Sequence, residues 1–234
     1  MKHRLLTTTL ALFATAHAAS AAVAEWDFDG LSVAPTKNVT IATPVENNTF
    51  GAGVTISDFT LNASDRGNAF QRDRAEQAVW DNGPPTMAFT VTIDDTVTVD
   101  LTQLDFTYGF QDSTPAGNKL TPEYSLAFSQ GSGTNASGSL PTRAAGDDAY
   151  EESTIVSSDL SGLTGLTNTS VTFTWTLTSA IDEGRNFDLQ GPSDPSRAHF
   201  MDDVTLHGVP EPSATGLIIS AGVALLLFRR RVRS

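Results

Sequence analysis

VTFTWTLT, residues 171–178, decides the fold. Val171, Phe173, Trp175 and Leu177 alternate with Thr172, Thr174, Thr176 and Thr178. Period two is the repeat of a strand, whose successive side chains point to opposite faces. A helix would scatter the four apolar residues around its axis. Threonine on the other face suits a pleated, solvated surface. The segment therefore reads as a strand with one face in a core and the other in water.

Working outward, the same alternation recurs. TMAFTVTI puts Met87, Phe89, Val91 and Ile93 on one face, and LDFTYGF does so with Leu104, Phe106, Tyr108 and Phe110. EYSLAFS aligns Tyr124, Leu126 and Phe128. HFMDDVTLHG aligns Phe200, Asp202, Val204 and Leu206. AEWDFDG and GVTISDFTL add two strands near the start. Stretches rich in Gly, Pro, Asn and Ser connect them. GSGTNASGSLPTRAAGDDAYEES reads as a long loop, and DRGNAFQRDRAEQAVW as a connection with room for one helical turn. About eight strands with one-sided alternation predict an all-β fold, a jelly-roll-like antiparallel β-sandwich. An up-and-down barrel is the runner-up.

The chain has 234 residues and no cysteine, so disulfides and thiolate metal sites are excluded. Charge is divided by region. Residues 23–208 hold 8 basic against 26 acidic side chains, a net −18, and the other basic residues lie at the two ends. Nucleic-acid binding relies on neutralising phosphates, so no nucleic-acid partner is expected of such a body.

The two ends are specialised. Lys2 and Arg4 precede an apolar run from Leu5 to about Ala16. Ala16-His17-Ala18 and Ala19-Ser20-Ala21 both fit the small-residue cleavage pattern. Residues 1–22 are read as a helical signal peptide, cut between residues 18 and 24, with signal peptidase and the secretion machinery as partners. At the other end Ala214 to Phe228 carries no charge. As a helix it would span about 22 Å, against roughly 30 Å of hydrocarbon. A buried core helix is an alternative on length alone. The run is apolar on all sides, Pro210 and Pro212 set it apart from the body, and Arg229, Arg230, Arg231 and Arg233 follow directly. Those arginines would flank a membrane anchor on the cytoplasmic side. The expected division is signal peptide 1–22, sandwich 23–208 and tail 209–234, with the transmembrane helix over 214–228 in the inner membrane.

Pro210-Glu211-Pro212, the short apolar run and the arginine cluster, in that order at the C-terminus, resemble the PEP-CTERM sorting signal of Gram-negative bacteria. The resemblance implies an exosortase as partner, with Pro210, Glu211 and Pro212 as its recognition element. It also implies a transient stay in the inner membrane before delivery to the cell surface or an exopolysaccharide matrix. A Pro-rich linker before an ordinary tail anchor is the other reading. WDFDG near the start and MDDVTLHG before the triplet look like the ectodomains of such proteins. They are also similar to the opening and closing strands of jelly-roll carbohydrate-binding modules.

Candidate chemistry is sparse. A carboxylate at Asp202, on a face with Phe200 and Val204, has to be paired, hydrogen-bonded or metal-bound. The resemblance to carbohydrate-binding modules implies a structural calcium held by Asp202 with Asp29, or failing that Asp27. Hydrogen bonds from backbone amides at a strand end or bulge would satisfy Asp202 equally well. Between residues 23 and 208 the histidines are His199 and His207, and no G-x-S-x-G, H-E-x-x-H or P-loop motif occurs. The reading is non-enzymatic. Trp80, in VWDNGPP, is the candidate aromatic platform for a carbohydrate, whereas Trp26 and Trp175 belong with core residues. The function expected is an exported surface or matrix protein, with a glycan-binding module of the exopolysaccharide as the alternative.

Overall fold

The structure, a computed structural model, describes residues 21–36, 40–62, 68–71, 74–78, 86–112, 120–130, 136–142, 150–181 and 197–210. The expectations for residues 1–20, Trp80, Glu211, Pro212, Arg229, Arg230, Arg231 and Arg233 lie outside them; Ala21 and Ala22, expected at the end of the helical signal peptide, lie in a strand instead.

Six short strands come first: β1 (Ala21–Trp26), β2 (Val33–Thr36), β3 (Ile41–Thr43), β4 (Asn47–Asn48), β5 (Val54–Ile56) and β6 (Phe59–Leu61). A hairpin of β7 (Asn68–Gln71) and β8 (Arg74–Ala78) comes next. The rest are β9 (Thr86–Ile93), β10 (Val99–Asp112), β11 (Leu120–Phe128), β12 (Ala136–Ser139), β13 (Tyr150–Leu166), β14 (Thr169–Ile181) and β15 (Arg197–Pro210). Among the described residues there is no helix, hence none long and apolar enough to cross a membrane. The segment expected to span, 214–228, is not among them.

The strands make two antiparallel sheets. One runs β13-β10-β15-β8-β7-β2, with β1 beside β15 and β4 beside β1. The other runs β12-β11-β14-β9-β6-β3, with β5 on β9. From β9 onward the chain passes repeatedly between the sheets, so consecutive long strands lie on opposite sides of one core.

The alternation read from residues 171–178 is what closes that core. Trp175 faces Met87 and Phe173 faces Phe89 across the β14–β9 ladder. All four are at most 1 % exposed. On the other face Thr172 and Thr90 hydroxyls bond at 2.9 Å, and those of Ser170 and Thr92 at 3.0 Å. A slip of one residue would exchange the faces and put two aromatic rings in water, so the register is pinned from both sides. From the opposite sheet Trp26 packs on Phe89 at 4.5 Å and Phe106 meets Trp175 edge-on at 5.4 Å.

Three expectations need correction. The stretch expected to hold a helical turn contains β7 and β8. The expected long loop contains β12 and the start of β13. Most consequential is the face of Asp202. Asp105 pairs with Thr205 but Thr107 pairs with Asp202, so β15 carries one extra residue there. Asp203 takes a left-handed φ of 49° at that bulge. A bulge resets the alternation. His199 and Met201 point inward before it, and Val204 and Leu206 after it, all fully buried. Phe200 and Asp202 therefore lie on the outer face, not with Val204 and Leu206.

Candidate functional site

The bulge brings acidic side chains of distant strands together. On the β1 side, Trp26 pairs with Val204, and the chain then turns sharply. Phe28 has a φ of 58°, unusual for a bulky residue, yet is fully buried. Its ring meets Phe59 edge-on at 5.2 Å. Packing holds it in this conformation, and the twist leaves Asp27 and Asp29 on the outside. The Asp29 amide donates to Asp27 Oδ1 at 2.9 Å, and the Leu31 amide to the Phe28 carbonyl at 3.2 Å.

Glu46 completes this side. Its amide donates to the Glu25 carbonyl at 3.0 Å, and its Oε2 accepts from the Asp27 amide at 3.3 Å. Burial of the carboxyl pushes Glu46 up to about 7, with Asp27 adding to the effect through a shared hydrogen bond and its charge. Asp27 is held below its ordinary value, first by the hydrogen bond with Glu46 and then by the Asp29 amide. The two carboxyls thus titrate as a coupled pair.

On the β15 side Asp202 is half-buried. Burial first, then the charges of Asp203 and Asp29, raise it to about 6, and the Arg74 guanidinium opposes the rise. The amide of Asp203 donates to Asp202 Oδ1 at 2.9 Å. This is the backbone bond at a bulge that the sequence left open as the alternative to metal. The structure also brings Asp29 near enough for its charge to act on Asp202. Carboxylate oxygens are the donors a hard cation takes. The number of donors is small: among the described residues no three of His, Asp or Glu gather in a metal-binding group.

Beside the bulge, on the outer face, lies a second cluster. Gly109 sits opposite Phe200, and a Cβ on Gly109 would meet the Phe200 ring at 2.0 Å. The missing side chain lets the ring lie flat on β10. The Arg74 guanidinium covers the ring at 3.8 Å from its centroid. It bonds Glu151 Oε1 at 2.8 Å and Gln111 Oε1 at 2.6 Å. Further along, His207 Nε2 meets Asp105 Oδ2 at 2.9 Å. Asp105 is held below its ordinary value; burial opposes that, and bonds from Ser157 and Gln103 together with His207 outweigh it. His199 is fully buried against Tyr108, whose hydroxyl meets its Nδ1 at 2.8 Å.

Of the residues singled out from sequence, Asp29 lies within electrostatic range of Asp202, and Pro210 is the last residue of β15, paired with Val99. Glu46 and Arg74 were missed. Each meets its partners across the fold, and neither carries a local signal.

No protein-family model and no curated protein matches the chain. Among solved structures it resembles a CBM4 module at 10 % identity, covering 67 % of this chain and 79 % of that one, with a TM-score of 0.32. The K3 cleaved adhesin domain of Lys-gingipain from Porphyromonas gingivalis aligns at 12 % identity over 80 % and 98 %, with a TM-score of 0.33. The CBM22-1 xylan-binding domain of Xyn10C from Paenibacillus barcinonensis aligns at 12 % over 82 % and 98 %, with a TM-score of 0.31. Scores this low carry no argument about ligand or activity.

Proposed function

We propose that this chain is a non-enzymatic exported protein of a Gram-negative envelope, sorted through its PEP-CTERM tail by an exosortase and delivered to the cell surface or exopolysaccharide matrix. The sandwich serves as a rigid acidic module and the tail supplies the itinerary. One observation supports this most directly: β15 remains paired up to Pro210, the first residue of the Pro-Glu-Pro triplet. The last described strand is thus paired up to the point where the proposed sorting signal begins.

Mass spectrometry of the protein recovered from culture matrix tests the reading. The expected product lacks residues 214–234 and the signal peptide. A matrix product with its tail intact would falsify the assignment. Saturable binding to purified matrix polysaccharide, abolished by Trp80→Ala, would make it a glycan-binding module instead. A structural calcium ion at Asp29 and Asp202 is part of the proposal. With two carboxylates to offer, the site would draw the rest of its six to eight oxygens from elsewhere, backbone carbonyls included.

A further inference from the structure

We infer that the sandwich stands on the bilayer by one pole, the one where β1 begins and β15 ends. This rests on reading residues 209–234 as a membrane-spanning signal. Ala21 pairs with Gly208, and Pro210 pairs with Val99, so both ends of the folded body leave at one place. Val99 also pairs with Leu166, which brings two turns to the same pole. They are tied together: the Asn168 amide donates to the Asp94 carbonyl at 3.1 Å, and the Thr167 hydroxyl to the same oxygen at 3.4 Å.

Reach then decides which parts can approach the lipid. From Pro210 to Ala214, where the apolar run starts, the chain spans at most about 14 Å even when fully extended. Along β10, from Val99 to Phe110 opposite Glu152, the distance is about 37 Å at the rise of an antiparallel strand. A short tether therefore holds the Asp94–Asp95 turn near the headgroups while the Glu152 end stands well beyond its reach. The module could approach that end to the lipid only by lying flat. Among the described residues no apolar patch favours that posture. Ile155 is the single exposed large hydrophobic residue among those described. The faces carry further exposed carboxylates such as Glu151, Glu152 and Asp159, so lying flat would bring these to anionic lipid in addition to Asp94 and Asp95 at the pole.

Because the chain has no cysteine, single-cysteine probes are free of background. The full chain carrying Asp95→Cys or Glu152→Cys, each labelled with a fluorophore, is reconstituted in vesicles of phosphatidylethanolamine and phosphatidylglycerol containing a headgroup spin-labelled lipid. The expected result is strong quenching at position 95 and little at 152. Equal quenching, or stronger quenching at 152, overturns the upright posture while leaving the sorting reading in place. A chain that does not float with the vesicles overturns the sorting reading and this inference with it. Melting curves confirm that each variant is folded, and Thr167→Cys with Ser153→Cys repeats the comparison at neighbouring exposed positions.

Discussion

Phe28 shows how single residues set the acidic seam. Its backbone is strained at a φ of 58°, and alanine would keep the Cβ that carries this left-handed cost; only glycine would relieve it. The buried ring contributes more: truncating a core Phe costs about 3–5 kcal/mol. Phe28→Ala is therefore expected to lower stability by about 3–5 kcal/mol in urea titration. A neutral result would mean the ring is not held as described. His199 makes a prediction about pH. Burial pushes it down from 6.5 to about 3. Between those values the unfolded chain binds a proton that the folded one refuses. Stability is thus fully present above 6.5 and lost as pH falls toward 3, by up to about 1.4 kcal/mol per unit. His199→Asn can still bond Tyr108 but does not titrate. Its stability profile between 6.5 and 3 should be flatter than that of the parent, as measured by melting across that window. Asp202 offers a third test. Calcium-free, its half-buried carboxyl faces Asp203 and Asp29, so Asp202→Asn should raise the melting temperature at neutral pH. If calcium is held there, the parent should melt lower on chelation, and Asp202→Asn should abolish that shift.

Individual strands differ in how plainly they can be read. TMAFTVTI and VTFTWTLT each keep strict alternation over their whole length, because each pairs in regular register and buries one face. β13 was not legible. Residues 151–155 are exposed on both faces, so no apolar period marks them. Further on, Leu160, Leu163 and Leu166 are buried at a spacing of three, where irregular pairing with β10 breaks the period of two. β15 looked legible and misled at one point. Its alternation is real on each side of Asp203, and an inserted residue shifts the phase between the halves. The composition of DDV does not say which residue takes the left-handed turn. For the site, the proximity of Asp29 and Asp202 was legible only through resemblance. Glu46 and Arg74 were not, since their partners lie far away in the chain. Gly109 makes an element-level prediction. Gly109→Ala drives a methyl into the Phe200 ring, and must displace it or splay β10 from β15. The expected loss is about 1–3 kcal/mol, typical of overpacking, with exposure of Phe200 readable as faster amide exchange along β10. Unchanged stability and exchange would mean the ring does not rest on that strand.

For the molecule as a whole, the order of assembly matters as much as the finished architecture. β15, the last described strand, is not at an edge; it lies between β10 on one side and β8 and β1 on the other. Trp26 cannot meet Val204 until nearly the whole body has been synthesised. Contacts this distant in sequence are slow to form, because the intervening loop must be closed before they give any return. Until residues 197–210 arrive, the eight-stranded sheet has a gap at its centre, and β1 lacks its longest partner. A chain built this way stays loose and threadable while it is being made. If the chain is exported as proposed, closure of that gap would be postponed to the far side of the translocation channel.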